Sequence, residues 1–413
     1  MALELPEIPS HLLAQIFLRL PAPEDIARTS AVCTTFRRLV TDGSFLRRFR
    51  RLHAPPLLGF LDLEGFHPAL PPHPSAPAAS SFAAAADFTF SFLPAHCGWI
   101  VQEIRDGRVL LARDHGEDAH SPVFKELVVC DPLHGRYIAL PSVPDALAAS
   151  VCRPAPVVRM PWCEPCLAPL GEDEAATAFT VICVVHCESK LATFVFSSST
   201  GQWRASVCKG WRELFRGRGE STVNSPSNSP LDPMFLRRHY AYGCFYWEST
   251  MIKRKELLVL DTRRMEFSIA DLPSKGWSTF GVAILEAGEG KLGLFGIRDE
   301  PAGGKRDLCY TIRQNKGKRS SQWQMVKAIA LGSGCLHNIK ASTERYFLLV
   351  SADAPGRRVG SSLKMADLEL EYFSMDVKKL QLERVCVEPF GLALSRTRIY
   401  TNFPPSFLSS PTI

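Results

Sequence analysis

The chain has 413 residues, 46% hydrophobic and 22% charged, so it can bury sizeable cores and is neither a disordered tail nor a fibrous repeat. At roughly 100–200 residues per domain, that length fits two or three domains, or one small domain and one large β architecture. The net charge of +6 does not mark a nucleic-acid binder, and 31 prolines exclude long helical bundles.

Residues 1–53 read as short helices. Ser10 is placed as an N-cap, and Leu12, Leu13, Ile16, Phe17 and Leu20 follow at helical spacing as one apolar face. Pro21 and Pro23 stop this helix, and Glu24 and Asp25 open the next, where acidic groups suit the positive end of the helix dipole. Ile26, Val32, Phe36, Leu39 and Val40 continue the apolar pattern, and Phe45, Leu46, Phe49 and Leu52 form a last amphipathic segment. About 50 residues make only a marginal core. The apolar positions outnumber those one internal face needs, which invites a partner.

Residues 54–86 are rich in Pro, Ala and Ser and read as a semi-rigid linker. Residues 87–413 read as a large β domain. Four eight-residue frames, starting at Cys130, Phe196, Leu260 and Met375, each follow an apolar strand, turn through a polar stretch and end on a bulky residue. Those end residues are Tyr137, Trp203, Phe267 and Leu382, expected to pack between sheets. Asp or Ser at the second position can bond the backbone ahead, and Gly at the sixth accepts a positive φ. A degenerate fifth copy runs from Leu308 to Trp323. Turn starts lie 66 and 64 residues apart, longer than the ~40–50 of common propeller repeats, so long inserts are expected near 209–236, 299–306 and 352–366. A β-propeller is the leading expectation and stacked β-sheets the second.

Leu5-Pro6, the helix ending at Leu20-Pro21, Asp25-Ile26, the Val32-Cys33 step and Phe36-Arg-Arg-Leu-Val40 resemble the F-box in order and spacing. The family commonly has Trp where this chain has Phe36, which keeps aromatic packing but loses the indole N–H. The continuation through Phe60 looks more loosely like plant F-box proteins with a C-terminal propeller-like associated region. The resemblance implies a substrate-recognition adaptor of a Skp-cullin-F-box ubiquitin ligase. Its helices would dock on a Skp-family linker protein and its β domain would hold a protein substrate for ubiquitination. It also implies that Leu5, Pro6, Leu12, Leu13, Ile16, Leu20, Pro21, Ile26, Val32 and Cys33 form the partner face or its support.

No catalytic motif, cofactor site or metal site is expected, so the chain reads as a non-enzyme. Cys163 and Cys166 form a C-x-x-C followed by Cys183 and Cys187, close to a zinc spacing, but Cys183 sits in an apolar strand-like run that suits packing better. The thirteen cysteines fit reduced thiols in a cytoplasmic or nuclear protein, and neither an export signal nor a membrane segment is expected. The Arg37–Arg51 cluster reads as a solvated helix face, with nucleic acid a weak alternative, and Arg212, Arg216, Arg218, Arg237 and Arg238 as surroundings of a solvated loop. Trp99, Trp211, Trp247, Trp277 and Trp323 are expected to pack between blades. The competing functional class is a β-propeller enzyme or small-ligand sensor with a helical cap.

Overall fold

The computed structural model describes residues 8–20, 23–53, 55–94, 98–114, 122–151, 161–169, 178–216, 235–249, 256–273, 277–299, 306–314, 323–331, 335–353, 369–389 and 397–401. Four short helices come first: α1 (Ser10–Phe17), α2 (Pro23–Val32), α3 (Thr34–Val40) and α4 (Gly43–Leu52). Ser10 is the first helical residue, not the cap. The N-cap position is Pro9, whose carbonyl accepts from Leu12 and Leu13 N–H. Pro23 opens α2 rather than closing α1, because a missing N–H costs nothing in a first turn. Asp42 caps α4 through the N–H groups of Ser44 and Phe45. The module has its own core of Leu13, Phe17, Leu18, Ile26, Val40, Phe45 and Phe49.

The remainder is a six-bladed β-propeller. Five blades are four-stranded antiparallel sheets built in chain order. The first has β3 (Trp99–Arg105), β4 (Arg108–Arg113), β5 (Leu127–Asp131) and β6 (Arg136–Ala139). The second has β7 (Trp162–Ala168), β8 (Thr180–His186), β9 (Lys190–Ser197) and β10 (Gln202–Gly210). The third has β11 (Phe235–Ala241), β12 (Cys244–Ser249), β13 (Glu256–Asp261) and β14 (Glu266–Asp271). The fourth has β15 (Trp277–Glu286), β16 (Lys291–Asp299), β17 (Arg306–Gln314) and β18 (Gln324–Ala330). The fifth has β19 (Cys335–Ser342), β20 (Tyr346–Asp353), β21 (Glu369–Asp376) and β22 (Leu382–Pro389).

The sixth blade joins the two ends of the domain. Here β1 (Leu57–Leu61) lies between β2 (Phe66–Pro68) and β23 (Arg398–Thr401). The Pro/Ala-rich stretch is therefore not a linker in the structure. Every residue of β1 is buried, and α5 (Ala76–Ala85) buries Ala76, Ala79 and Phe82. Ala-rich sequence favours helix and packs closely, and Pro77 is harmless in a first turn. Two single-turn helices, α6 (Asp145–Ala148) and α7 (Trp211–Leu214), sit in loops.

The eight-residue frames are the turns between the third and fourth strands of blades one, two, three and five, and the degenerate copy spans the same step of blade four. The turn carboxylates do what the sequence predicts. Asp131 accepts from the N–H groups of Leu133 and His134, Asp261 from Arg263 and Arg264, and Asp376 from Lys378. Phe267 and Trp203 pack between blades as expected, whereas Tyr137 stays 40% exposed. Among the described residues, apolar clusters fill the spaces between consecutive blades and bind the ring together.

Candidate functional site

The helical module divides the partner-face candidates by burial. Leu13 and Ile26 lie in its core, and Leu20 is half-buried against it. Leu12 and Ile16 stand four apart on α1 and are 42% and 50% exposed, and Ile8, ahead of the extended Pro9 cap, is 51% exposed. Val32 is 69% exposed at the end of α2, and Cys33 is exposed beside it. Leu5, Pro6 and Pro21 lie outside the described residues. What the sequence presents as one apolar face is two adjoining stripes of α1: Leu13 and Phe17 turn inward, Leu12 and Ile16 outward. Cys33 also caps α3, its Sγ accepting from the N–H of Phe36 at 3.4 Å. Phe36 meets Phe17 edge-to-face with ring centroids 5.0 Å apart, so the aromatic at this position keeps its packing role.

The second site is the centre of the propeller. A cavity of about 1040 Å³ opens along the innermost strands and runs outward between blades one and two. Three innermost strands carry a register shift where they face it. Gln102 is the extra residue of β3, Arg237 of β11 and Lys340 of β19. A bulge breaks the in–out alternation and re-aims side chains. On β11 it brings Arg237, Arg238, His239 and Tyr240 all to the cavity lining, with Arg237 at φ 35°. Gly281 on β15 leaves the room this needs. A Cβ there would overlap the Arg237 guanidinium and lie 2.9 Å from the Ile339 carbonyl oxygen.

Two of the channel cations are held by channel carboxylates. Arg238, 3% exposed, reaches Glu103 and Glu164 at 2.6 Å each and donates to the Gln102 carbonyl at 3.0 Å. Glu164 also accepts from the indole N–H of Trp247 at 2.7 Å. Arg105 pairs with Glu344, donates to the Leu167 carbonyl at 3.1 Å and lies 4.1 Å over the Tyr240 ring. Burial opposes the charge of Glu103, but Arg238, Arg105 and Arg398 outweigh it and hold its pKa below the usual value.

Of the remaining lining cations, Lys125 pairs with Asp114 at 3.2 Å, and Arg237, Lys340 and Arg398 lie at the junction of β11, β19 and β23. Arg237 is 4.0 Å from Glu248. Arg398 donates to the carbonyls of Gln102 and Thr397 at 2.9 and 3.2 Å. Burial and Arg237 push the Lys340 amine down to about 8. His239 donates or accepts through Nδ1 with the Ser342 hydroxyl at 2.7 Å, while its buried Nε2 has no hydrogen-bond partner. Burial, then Arg237, Arg398 and Arg238, push this imidazole down to about 3.

The structure corrects the reading of Arg237 and Arg238 as loop surroundings. They belong to an innermost strand, and Arg238 is buried. Residues 217–234, 300–305 and 354–368, which hold most of the expected inserts, lie outside the described residues. Cys163 and Cys166 are three apart on a strand and so point to opposite faces. Cys163 packs toward the core between blades one and two, and Cys166 lies in the core between blades two and three. Trp211 and Trp247 are buried between blades two and three, and the Trp99 ring packs on the core joining blades one, five and six. Trp162 and Trp203 line the cavity, a role the sequence does not signal. Arg37, Arg38 and Arg48 are exposed. No helix of the described residues is long and apolar enough to cross a membrane.

Comparison with known proteins adds one assignment. No curated protein matches the chain. Among solved structures, TolB from Acinetobacter baumannii is 11% identical, over 74% of this chain and 57% of its own, with a TM-score of 0.33. An oligogalacturonate lyase in complex with manganese is 7% identical, over 70% of this chain and 64% of its own, with a TM-score of 0.34. The β-propeller domain of the trilobed protease from Pyrococcus furiosus is 8% identical, over 70% and 71%, with a TM-score of 0.31. The chain thus spans less than two thirds of the first two, and the six-bladed fold rests on its own strand pairing. Residues 5–52 match the F-box-like family model, so the N-terminal helices with the exposed Leu12, Ile16 and Val32 are an F-box-like domain.

Proposed function

We propose that the protein is a substrate-recognition adaptor of a Skp-cullin-F-box ubiquitin ligase, of the kind in which a helical module precedes a propeller. The carrying observation is the outward pair Leu12 and Ile16 on α1, with the exposed Ile8 ahead of the helix and Val32 on α2, on a domain that has already filled its core with other residues. Apolar side chains at helical spacing on a small surface are what helix-in-groove docking buries. In this reading a Skp-family linker covers them, the propeller holds a protein substrate, and the adaptor catalyses nothing. Ubiquitin transfer belongs to the rest of the ligase, in the cytoplasm or nucleus.

The test is co-purification. Leu12→Asp with Ile16→Asp should abolish recovery of the Skp-family linker while circular dichroism and the melting temperature stay unchanged. Retained recovery overturns the docking assignment. Leu13→Asp should instead unfold the module, because it places a charge in the core.

A further inference from the structure

We propose that the seam between blades five and six is a proton-dependent latch: His67 on β2 grips Asp62 and Glu388 together only as an imidazolium, so its deprotonation loosens the blade that closes the ring. Nε2 of His67 lies 2.9 Å from Asp62 Oδ1, and Nδ1 lies 3.1 Å from Glu388 Oε1. Ionised carboxylates only accept, and a neutral imidazole has one N–H, so both contacts at once need both ring protons. Asp62 sits in the turn after β1, within blade six, whereas Glu388 is on β22 of blade five. The His67 side chain is 12% exposed and its ring stacks on Phe60 with centroids 4.7 Å apart, which holds the imidazole plane. A backbone bond crosses the same seam, Leu70 N–H donating to the Val385 carbonyl at 2.7 Å.

The groups around the ring favour its proton. Burial opposes the charge of His67, but the hydrogen bonds and fields of Asp62 and Glu388 outweigh it and hold the pKa above the ordinary 6.5. β22 also brings the Cys386 thiol and β21 the Tyr372 hydroxyl, both pushed up by burial and neighbouring carboxylates, and Glu64 adds a carboxylate from the turn. α5 carries no ionisable side chain, and Arg398 of β23 bonds backbone carbonyls at the channel. Further along the seam His73 is neutral. Its Nδ1 accepts from Ser75 N–H, its Nε2 donates to the Ser374 hydroxyl at 3.1 Å and lies 3.7 Å from Glu383, and burial pushes it below 6.5. His67 runs the other way: with its folded-state pKa raised, its stabilisation is complete below about pH 6.5 and is lost as pH rises through the folded-state value. The latch is independent of the docking surface on α1.

Imidazole NMR of the full chain, with hydrogen exchange read by mass spectrometry, tests the latch. The His67 resonance, identified by its absence in His67→Gln, should titrate with a midpoint above 6.5. Amide protection over residues 66–70, corrected for base catalysis of exchange, should fall severalfold between about pH 6.5 and about pH 9, while the Leu140 N–H of blade one keeps its protection. His67→Gln should show the low protection at both pH values. A midpoint at or below 6.5, protection that does not fall, or the same fall in His67→Gln overturns the proposal. If that variant does not fold, Glu388→Gln decides. One imidazole midpoint above 6.5 should then move down, whereas Glu371→Gln, on the neighbouring strand and 3.9 Å from Arg384, should leave it in place. An unmoved midpoint in Glu388→Gln overturns the latch.

Discussion

Single residues show how backbone geometry and charge shape this molecule. The sixth position of the turn frame is left-handed in every described copy, with φ of 59° at Gly135, 67° at Gly201, 52° at Met265 and 53° at Leu380. The turn needs that conformation whichever residue stands there. Gly201 has open space where a Cβ would stand, so Gly201→Ala should cost only the left-handed penalty, about 1 kcal/mol in urea unfolding. Gly281 combines φ 88° with crowding by Arg237 and the Ile339 backbone, so Gly281→Ala should cost about 2–4 kcal/mol and disturb the channel. Equal costs would contradict the steric role of Gly281. The Arg238 trio is a different case. Arg238→Met leaves Glu103 and Glu164 buried without their cation and should cost about 3–5 kcal/mol in the same assay.

At the level of elements, patterning explains what could be read in advance. Four turn frames and a degenerate copy were legible because an Asp or Ser and a bulky residue recur at fixed offsets, and the structure places one in each of five blades. The F-box-like helices were equally legible, since Leu12, Leu13, Ile16 and Phe17 keep helical spacing. The division of those residues between core and surface was not, because spacing gives a helix face but not the neighbour against it. β1 and α5 were hidden by proline and alanine around Leu57–Leu61. The channel was illegible for a related reason: a bulge breaks alternation, and no short sequence signal marks which strand lies innermost. Strand packing also sets a pH response. His186 on β8 stacks on Trp162 of β7 at 4.0 Å, and burial pushes it down to about 4. The unfolded chain takes up this proton near pH 6.5, whereas the folded chain refuses it until about pH 4. The stabilisation is therefore complete above pH 6.5 and is lost as pH falls. Between pH 6.5 and 5 the loss should be about 2 kcal/mol for this group, read from urea midpoints, and His186→Phe should flatten that slope. An unchanged slope would place the pH dependence elsewhere.

For the whole molecule, the decisive feature is how the ring closes. Five blades are local in sequence, but the sixth pairs β1 with β23, so Phe60 lies opposite Ile399 and Leu61 opposite Arg398. Tyr400 is fully buried there, packed among Phe66, Phe82 and Phe88, and its hydroxyl donates to the Gly107 carbonyl at 3.1 Å. The closing strand thus touches the first blade as well as its own. It also carries Arg398 into the channel, which links ring closure to the charged centre. A chain ending at residue 396 loses β23 and exposes the aromatic cluster around Phe82. It should unfold at a much lower urea midpoint and with a shallower, less cooperative transition, because the remaining blades are held only by neighbour contacts. Tyr400→Ala keeps the strand and should cost about 3–5 kcal/mol with an unchanged slope. If truncation left both midpoint and slope intact, closure would not be what stabilises the propeller. If instead Tyr400→Ala reproduced the full effect of truncation, the aromatic anchor and not the strand pairing would be the clasp. The two variants therefore separate the hydrogen-bonded seam from the buried ring that pins it.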